Sequence, residues 1–238
     1  MKRLIATVAA ATLVGVVQPV QAQDASDEAA FYGLTLTPYG ALPAVVSPSM
    51  TGHKGRVWDF RYGRYSFDGA DYSVNTYGLG GNFALGAKGR LGIDVAYQTC
   101  GEDCDGRIMG GVDYTMNVIT HRLGTARDAS SLIVGIRPAL GYGMPEDASA
   151  LSFSAEFPIS MSFKVGQRTN MIPFLSPAIG WGRVSPDGFD AESGTKPVLG
   201  GGVGFTNVMG NVGINLGFRK FFIDEAPTQW GLGMSWTR

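Results

Sequence analysis

Cys100 and Cys104 are the only cysteines of the chain, separated by three residues in the stretch CGEDCDG, with Glu102, Asp103 and Asp105 beside them. Two thiolates among carboxylates suggest a divalent metal centre. Structural metal sites, however, usually draw four ligands and often include histidine, and none is near. The plainer reading is a disulfide that staples one loop in an oxidising compartment, giving local order more than global stability because the closed loop is short.

Catalysis by proton relay needs a histidine within reach of a serine or a carboxylate. His53 and His121 are the only histidines, and neither belongs to a short histidine–serine or aspartate–histidine pairing. The sequence therefore offers no catalytic residue, and no cofactor is expected.

A third group could act together. Asp59, Asp94, Asp113 and Glu156 are matched in number by Arg61, Arg90, Arg137 and Arg219, and most of these charges stand in stretches where apolar and small residues alternate. Successive side chains of a β-strand point to opposite faces, so the eight share one face if the stretches are strands. On the inside of a barrel they would form either a selectivity ring or a packed network of mutual pairs. The packed network is the better expectation, because open aqueous channels belong to barrels of about 16 to 18 strands.

The elements that must position these residues are clearest at Leu151 to Phe163. Leu151, Phe153, Ala155, Phe157, Ile159, Met161 and Phe163 take one face, and Ser152, Ser154, Glu156, Pro158, Ser160 and Ser162 the other. These thirteen residues are enough for the roughly 9 to 11 with which a tilted strand crosses a bilayer. From Arg56 onward the same alternation recurs, at Trp58 to Tyr62, Tyr77 to Leu85, Leu91 to Tyr97 and onward to Trp230 to Trp236, predicting ten strands in all. Pro138, Pro158, Pro173, Pro177 and Pro197 fall inside these strands, where proline removes a ladder donor, so eight or twelve strands also fit the pattern.

Which face is wet decides the class. The polar face is mostly Gly, Ser, Ala and Asn, which suits a crowded barrel interior better than a solvated exterior. Aromatic residues (Trp58, Tyr62, Tyr77, Tyr97, Tyr142, Trp181, Trp230, Trp236) cluster near strand ends on the apolar face, as in the girdles of a transmembrane barrel. Charged residues make up only 16 % of the chain, against about 25 % in ordinary soluble domains. With both barrel termini taken as periplasmic, one set of connections is acidic (FDGAD, CGEDCDG, Glu146 and Asp147, Val184 to Thr195, Asp224 and Glu225). The other set is largely basic or very short (Lys88, Arg122 and Arg127, Lys164 and Arg168, Thr206 and Asn207). Acidic outward loops could hold divalent cations against lipopolysaccharide, but none has calcium-loop spacing, and solubility explains them as well.

The N-terminus carries Lys2 and Arg3, an apolar stretch from Leu4 to Val17, and small residues before Ala22, which predicts a secretory signal cleaved after Ala22. Removing it leaves 17 basic against 20 acidic residues, too mild a charge to imply a nucleic-acid partner. Residues 23–55 are expected to form a periplasmic segment, acidic and disordered at first. Its later part, where Tyr32, Leu34 and Leu36 alternate with Gly33, Thr35 and Thr37, reads as one extra short strand or a piece folded against the barrel mouth.

The signal, the amphipathic strands and the aromatic last strand WGLGMSW resemble the small bacterial outer-membrane β-barrel superfamily, which includes outer-membrane protein A-like, opacity-type and porin-like barrels. The resemblance covers Arg56 to Arg238. It implies an all-β, closed antiparallel barrel in a Gram-negative outer membrane. The surroundings it implies are outer-membrane lipid, lipopolysaccharide and the barrel assembly machinery; it names no protein partner. Trp236 is followed by Thr237 and Arg238, so the terminal aromatic residue common in that superfamily is displaced. Enzymes of the superfamily carry a histidine at the outer-leaflet end, whereas both histidines here are expected near the periplasmic end. The expectation is a non-catalytic structural, surface-interaction or narrow-pore barrel. The alternatives are a lipid-modifying outer-membrane enzyme and a soluble periplasmic ligand-binding barrel with its apolar face inward.

Overall fold

The computed structural model describes residues 24–45, 55–66, 73–86, 88–99, 106–123, 130–145, 147–223 and 226–238. Among the described residues, eleven strands follow two helices: α1 (Asp24–Thr35), α2 (Pro38–Ala41), β1 (Val57–Ser66), β2 (Ser73–Leu85), β3 (Gly89–Thr99), β4 (Arg107–Leu123), β5 (Ser130–Met144), β6 (Ala148–Glu156), β7 (Ile159–Lys164), β8 (Asn170–Pro186), β9 (Glu192–Met209), β10 (Val212–Phe221) and β11 (Thr228–Thr237). Every pairing is antiparallel, and the sheet closes on itself where β1 meets β11.

Strands β6 and β7 are one stave in two pieces. Both lie between β5 and β8, and the register that pairs Arg137 with Glu156 continues unshifted to Val134 and Ile159. The ladder opens at Phe157 and Pro158, where proline has no N–H to give. The gap is bridged by the Gly135 N–H to the Pro158 carbonyl at 2.9 Å and the Phe157 N–H to the Pro177 carbonyl at 2.8 Å. Ten staves result, as the alternation predicts.

Two boundaries differ from expectation. The turn placed at Thr206 and Asn207 lies instead at Gly210 and Asn211, because β9 runs on to Met209 with a register shift opposite Val212. Gly210 takes the positive φ of 64° that this turn needs. The loop expected from Val184 to Thr195 shrinks to residues 187–191, since both flanks pair with each other as far as Val184 and Glu192. In β4 an extra residue, Val118, bulges between Asn117 and Ile119.

The N-terminal segment is where structure and sequence pattern part. The alternation at Tyr32 to Thr37 is helix and turn rather than strand, and residues 24–30, expected to be disordered, belong to the same helix, which runs to Thr35. The closed wall explains why. Chain inside a barrel finds no free strand edge, so its N–H and C=O groups must be satisfied internally, as a helix does. The Leu36 N–H reaches the Tyr32 carbonyl at 2.9 Å and the Ala41 N–H the Thr37 carbonyl at 2.9 Å. Pro38, tolerated at a first helical turn, starts α2.

Candidate functional site

The inward face is built for close approach. A Cβ on Gly182 of β8 would fall against the backbone of Ala30, Gly33 and Leu34, and Gly33 in turn leaves no space for a Cβ against β8. Leu34 packs on Gly180, the Leu36 carbonyl on Gly143, Leu42 on Gly78, Pro43 on Gly231 and the Ala44 carbonyl on Gly217. The small residues of the polar face thus form a track for residues 30–45. Leu34, Thr37, Ala41 and Leu42 are all fully buried. The segment anticipated at the barrel mouth is a plug through the lumen.

Side chains of the wall hold the plug by its backbone. Gln98 of β3 donates to the Thr35 carbonyl at 3.3 Å and to Thr76 Oγ1 at 3.3 Å. Thr37 and Ser152 share a hydroxyl hydrogen bond of 2.6 Å. Gln229 donates to the Ala41 carbonyl. Arg219 donates from Nη1 to the Leu42 carbonyl at 2.9 Å and lies over the Tyr39 ring, 4.4 Å from its centroid. Sequence reasoning passed over Tyr39, Thr37, Gln98 and Gln229. The one available signal was that Gln98 and Gln229 are long amides on faces otherwise lined by small residues.

Beneath α2 lies a layer of charge. Arg137 grips Asp113 through two parallel bonds, Nε to Oδ1 and Nη2 to Oδ2, each 3.0 Å, and reaches Glu156 at 3.3 Å. Glu156 also accepts from Arg219 at 2.9 Å and from Ser176 at 3.3 Å. A second group joins Arg61 to Asp59 at 2.6 Å and to Asp94, with Asn82 donating to Asp59 at 3.1 Å. Seven of the eight residues singled out from sequence therefore meet in two adjoining clusters. Arg90 sits nearer the turn-side end of β3 and donates to the Gly55 carbonyl at 3.0 Å. Charges this deeply buried offset their desolvation only when paired with good geometry, and the fork-shaped contact of Arg137 supplies it. Beside the layer lie two cavities of about 20 Å³ each, room for a water molecule.

Cys100, Cys104 and His53 lie outside the described residues, as does the predicted signal through Ala22. His121 is exposed at the turn-side end of β4. Among the described residues no group of three or more histidine, cysteine or carboxylate side chains could hold a metal ion.

Outside, the wall is apolar. Leu79 is 61 % exposed and Trp230 62 %, while Ser152 and Ser154 on the facing side of the wall are fully buried. Aromatic pairs stand toward the strand ends, with Tyr62 against Tyr77 at 5.4 Å and Phe218 against Trp230 at 5.5 Å on the loop side, and Trp58 against Phe83 at 5.9 Å on the turn side. A soluble barrel with an apolar interior would have the two faces exchanged. This is the fold of an outer-membrane β-barrel. Among the described residues no helix is long and apolar enough to cross a membrane.

Comparison with protein-family models and with curated proteins gives no match. Among solved structures, the chain is similar to the transport unit of the autotransporter AIDA-I from Escherichia coli, with 12 % identity, a TM-score of 0.47, and 91 % of this chain and 100 % of that one covered. It is similar to Ail, the attachment invasion locus protein of Yersinia pestis, at 12 % identity and a TM-score of 0.31, covering 77 % of this chain and 99 % of that one. It is also similar to the KdgM porin, at 7 % identity and a TM-score of 0.33, covering 76 % and 99 %.

Proposed function

We propose that this chain is a self-plugged outer-membrane barrel, closed to solute flow, with a structural or surface-facing role and no catalytic activity. The observation that carries this reading is the fit of residues 30–45 to the glycine track. A lid that comes and goes would leave a lumen lined for water in its absence, whereas this lumen is shaped around backbone. Below the plug, the paired charges of Asp113, Arg137, Glu156 and Arg219 fill the section that a selectivity ring would keep open. The place of His121 on the turn-side rim, away from the outer leaflet, supports the absence of lipid chemistry.

The test is single-channel recording on the full-length processed protein in a planar bilayer. The reading expects a silent membrane, and discrete conductance steps once residues 24–45 are deleted. Steady conductance from the intact protein would overturn it, whatever the deletion variant does. Lipid A profiles of cells with and without the protein test the non-catalytic part, and a changed profile would refute it.

A further inference from the structure

The plug has a direction. Ala30 and Gly33 lie against Gly182, Leu34 against Gly180, Leu36 against Gly143 and Thr37 against Gly141. On β8 and β5 alike, each step forward along the plug is a step away from the loop-side end of the strand. The descent continues through Leu42 at Gly78 and Ala44 at Gly217 to Val45 at Gly233, beyond the midpoint of β11. The backbone then re-emerges at Gly55, which meets Arg238 at the turn side. Traced backward from Leu34, helix α1 climbs toward the loop side, since four residues of helix rise about 6 Å, the span of two residues of strand. Phe31 accordingly packs edge-on against Phe221, the last residue of β10 on the loop side, with ring centroids 5.7 Å apart.

We infer that α1 enters the barrel from the loop-side mouth, so that this protein presents the N-terminal end of that helix at the outer surface. The section below α2 holds the plug and the charge layer, with cavities of about 20 Å³ beside them. The consequence exceeds closure of the pore: the wall delivers residues that begin on the periplasmic side of the membrane to its outer face. Tyr32, 49 % exposed on α1, is then part of the surface that the mouth presents.

The experiment places an epitope between Gln23 and Asp24 of the full chain and measures antibody binding to intact cells. A tag at Gly188, on the loop side, and a tag after Arg238, on the turn side, serve as references. The inference expects binding at the level of the Gly188 tag without permeabilisation. Binding that rises only when the outer membrane is opened, as for the Arg238 tag, overturns it. A faster unboiled gel band shows whether the tagged barrel has folded. Should it not, Tyr32→Cys in a Cys100→Ser, Cys104→Ser background decides the matter: labelling of intact cells by a membrane-impermeant maleimide supports the inference, and protection until permeabilisation refutes it. A periplasmic N-terminus with a silent pore would reject this inference alone and leave the plugged barrel standing.

Discussion

Arg219 joins the wall of the barrel to its plug: Nη2 donates to Glu156 Oε1 at 2.9 Å while Nη1 donates to the carbonyl of Leu42, also at 2.9 Å. One side chain thus neutralises a buried carboxylate and satisfies a buried peptide group. Replacing it with alanine takes the donor from the Leu42 carbonyl and from Glu156 Oε1, leaving Glu156 only its Oε2 contacts with Arg137 and Ser176. Arg219→Ala should destabilise the barrel by about 3–5 kcal/mol, the usual cost of removing one partner of a buried pair. The check is the urea concentration at which the fast unboiled band is lost. Arg219→Lys should recover only part of the difference, because a single ammonium lacks the fork that spans both acceptors.

The contact between Leu42 and Gly78 offers a paired test. Leu42→Ala removes a fully buried side chain and should cost about 2–5 kcal/mol. Gly78→Ala puts a methyl into the space of the Leu42 terminal carbons, 2.6 Å and 2.7 Å away, and should cost about 1–3 kcal/mol through overpacking. In the double variant the new methyl enters the space the leucine vacates, so the loss should be smaller than the sum of the two. Additive losses would mean that the residues do not touch.

Gly143 lies where the Leu36 carbonyl passes, so a branched side chain there and the seated plug compete for one volume. Gly143→Val should leave a heat-modifiable barrel but bring conductance steps in a planar bilayer as the plug shifts. Gly110→Ala is the control. Its added methyl meets nothing within 4 Å, and it should stay silent and within about 0.5 kcal/mol of the parent.

Leu79 tests the outer face. An arginine at this outward position should cost about 2–4 kcal/mol when the barrel is folded into lipid vesicles, if it sits near the bilayer midplane. Phe189, 80 % exposed in the turn between β8 and β9, is as apolar but outside the belt. Phe189→Arg should change stability by no more than about 0.5 kcal/mol. Equal penalties at the two sites would contradict the lipid-facing assignment of Leu79.

The wall was legible because its constraint is local. A strand buried on one side against a filled lumen and on the other against lipid must alternate, and from Leu151 to Phe163 it does so without a slip. The same rule placed Asp113, Arg137, Glu156 and Arg219 on one inner face before their partners were known. Pro158 was a fair warning as well, since the stave does open there. What failed was the same rule applied where its cause is absent: Tyr32 to Thr37 alternate, yet no strand edge was left for them.

The sequence by itself determined a barrel of about ten strands, the inward set of small and charged residues and the apolar belt, because each depends only on the two-residue period of a strand and the media on its two sides. The tertiary structure decided what fills the lumen. Whether Gly182, Gly143 and Gly217 line water or backbone depends on contacts between residues more than a hundred positions apart, which no local period encodes. The same long-range closure selected the partners of Arg219, turned residues 24–35 into helix, and set the N-terminal end of the plug at the loop-side mouth.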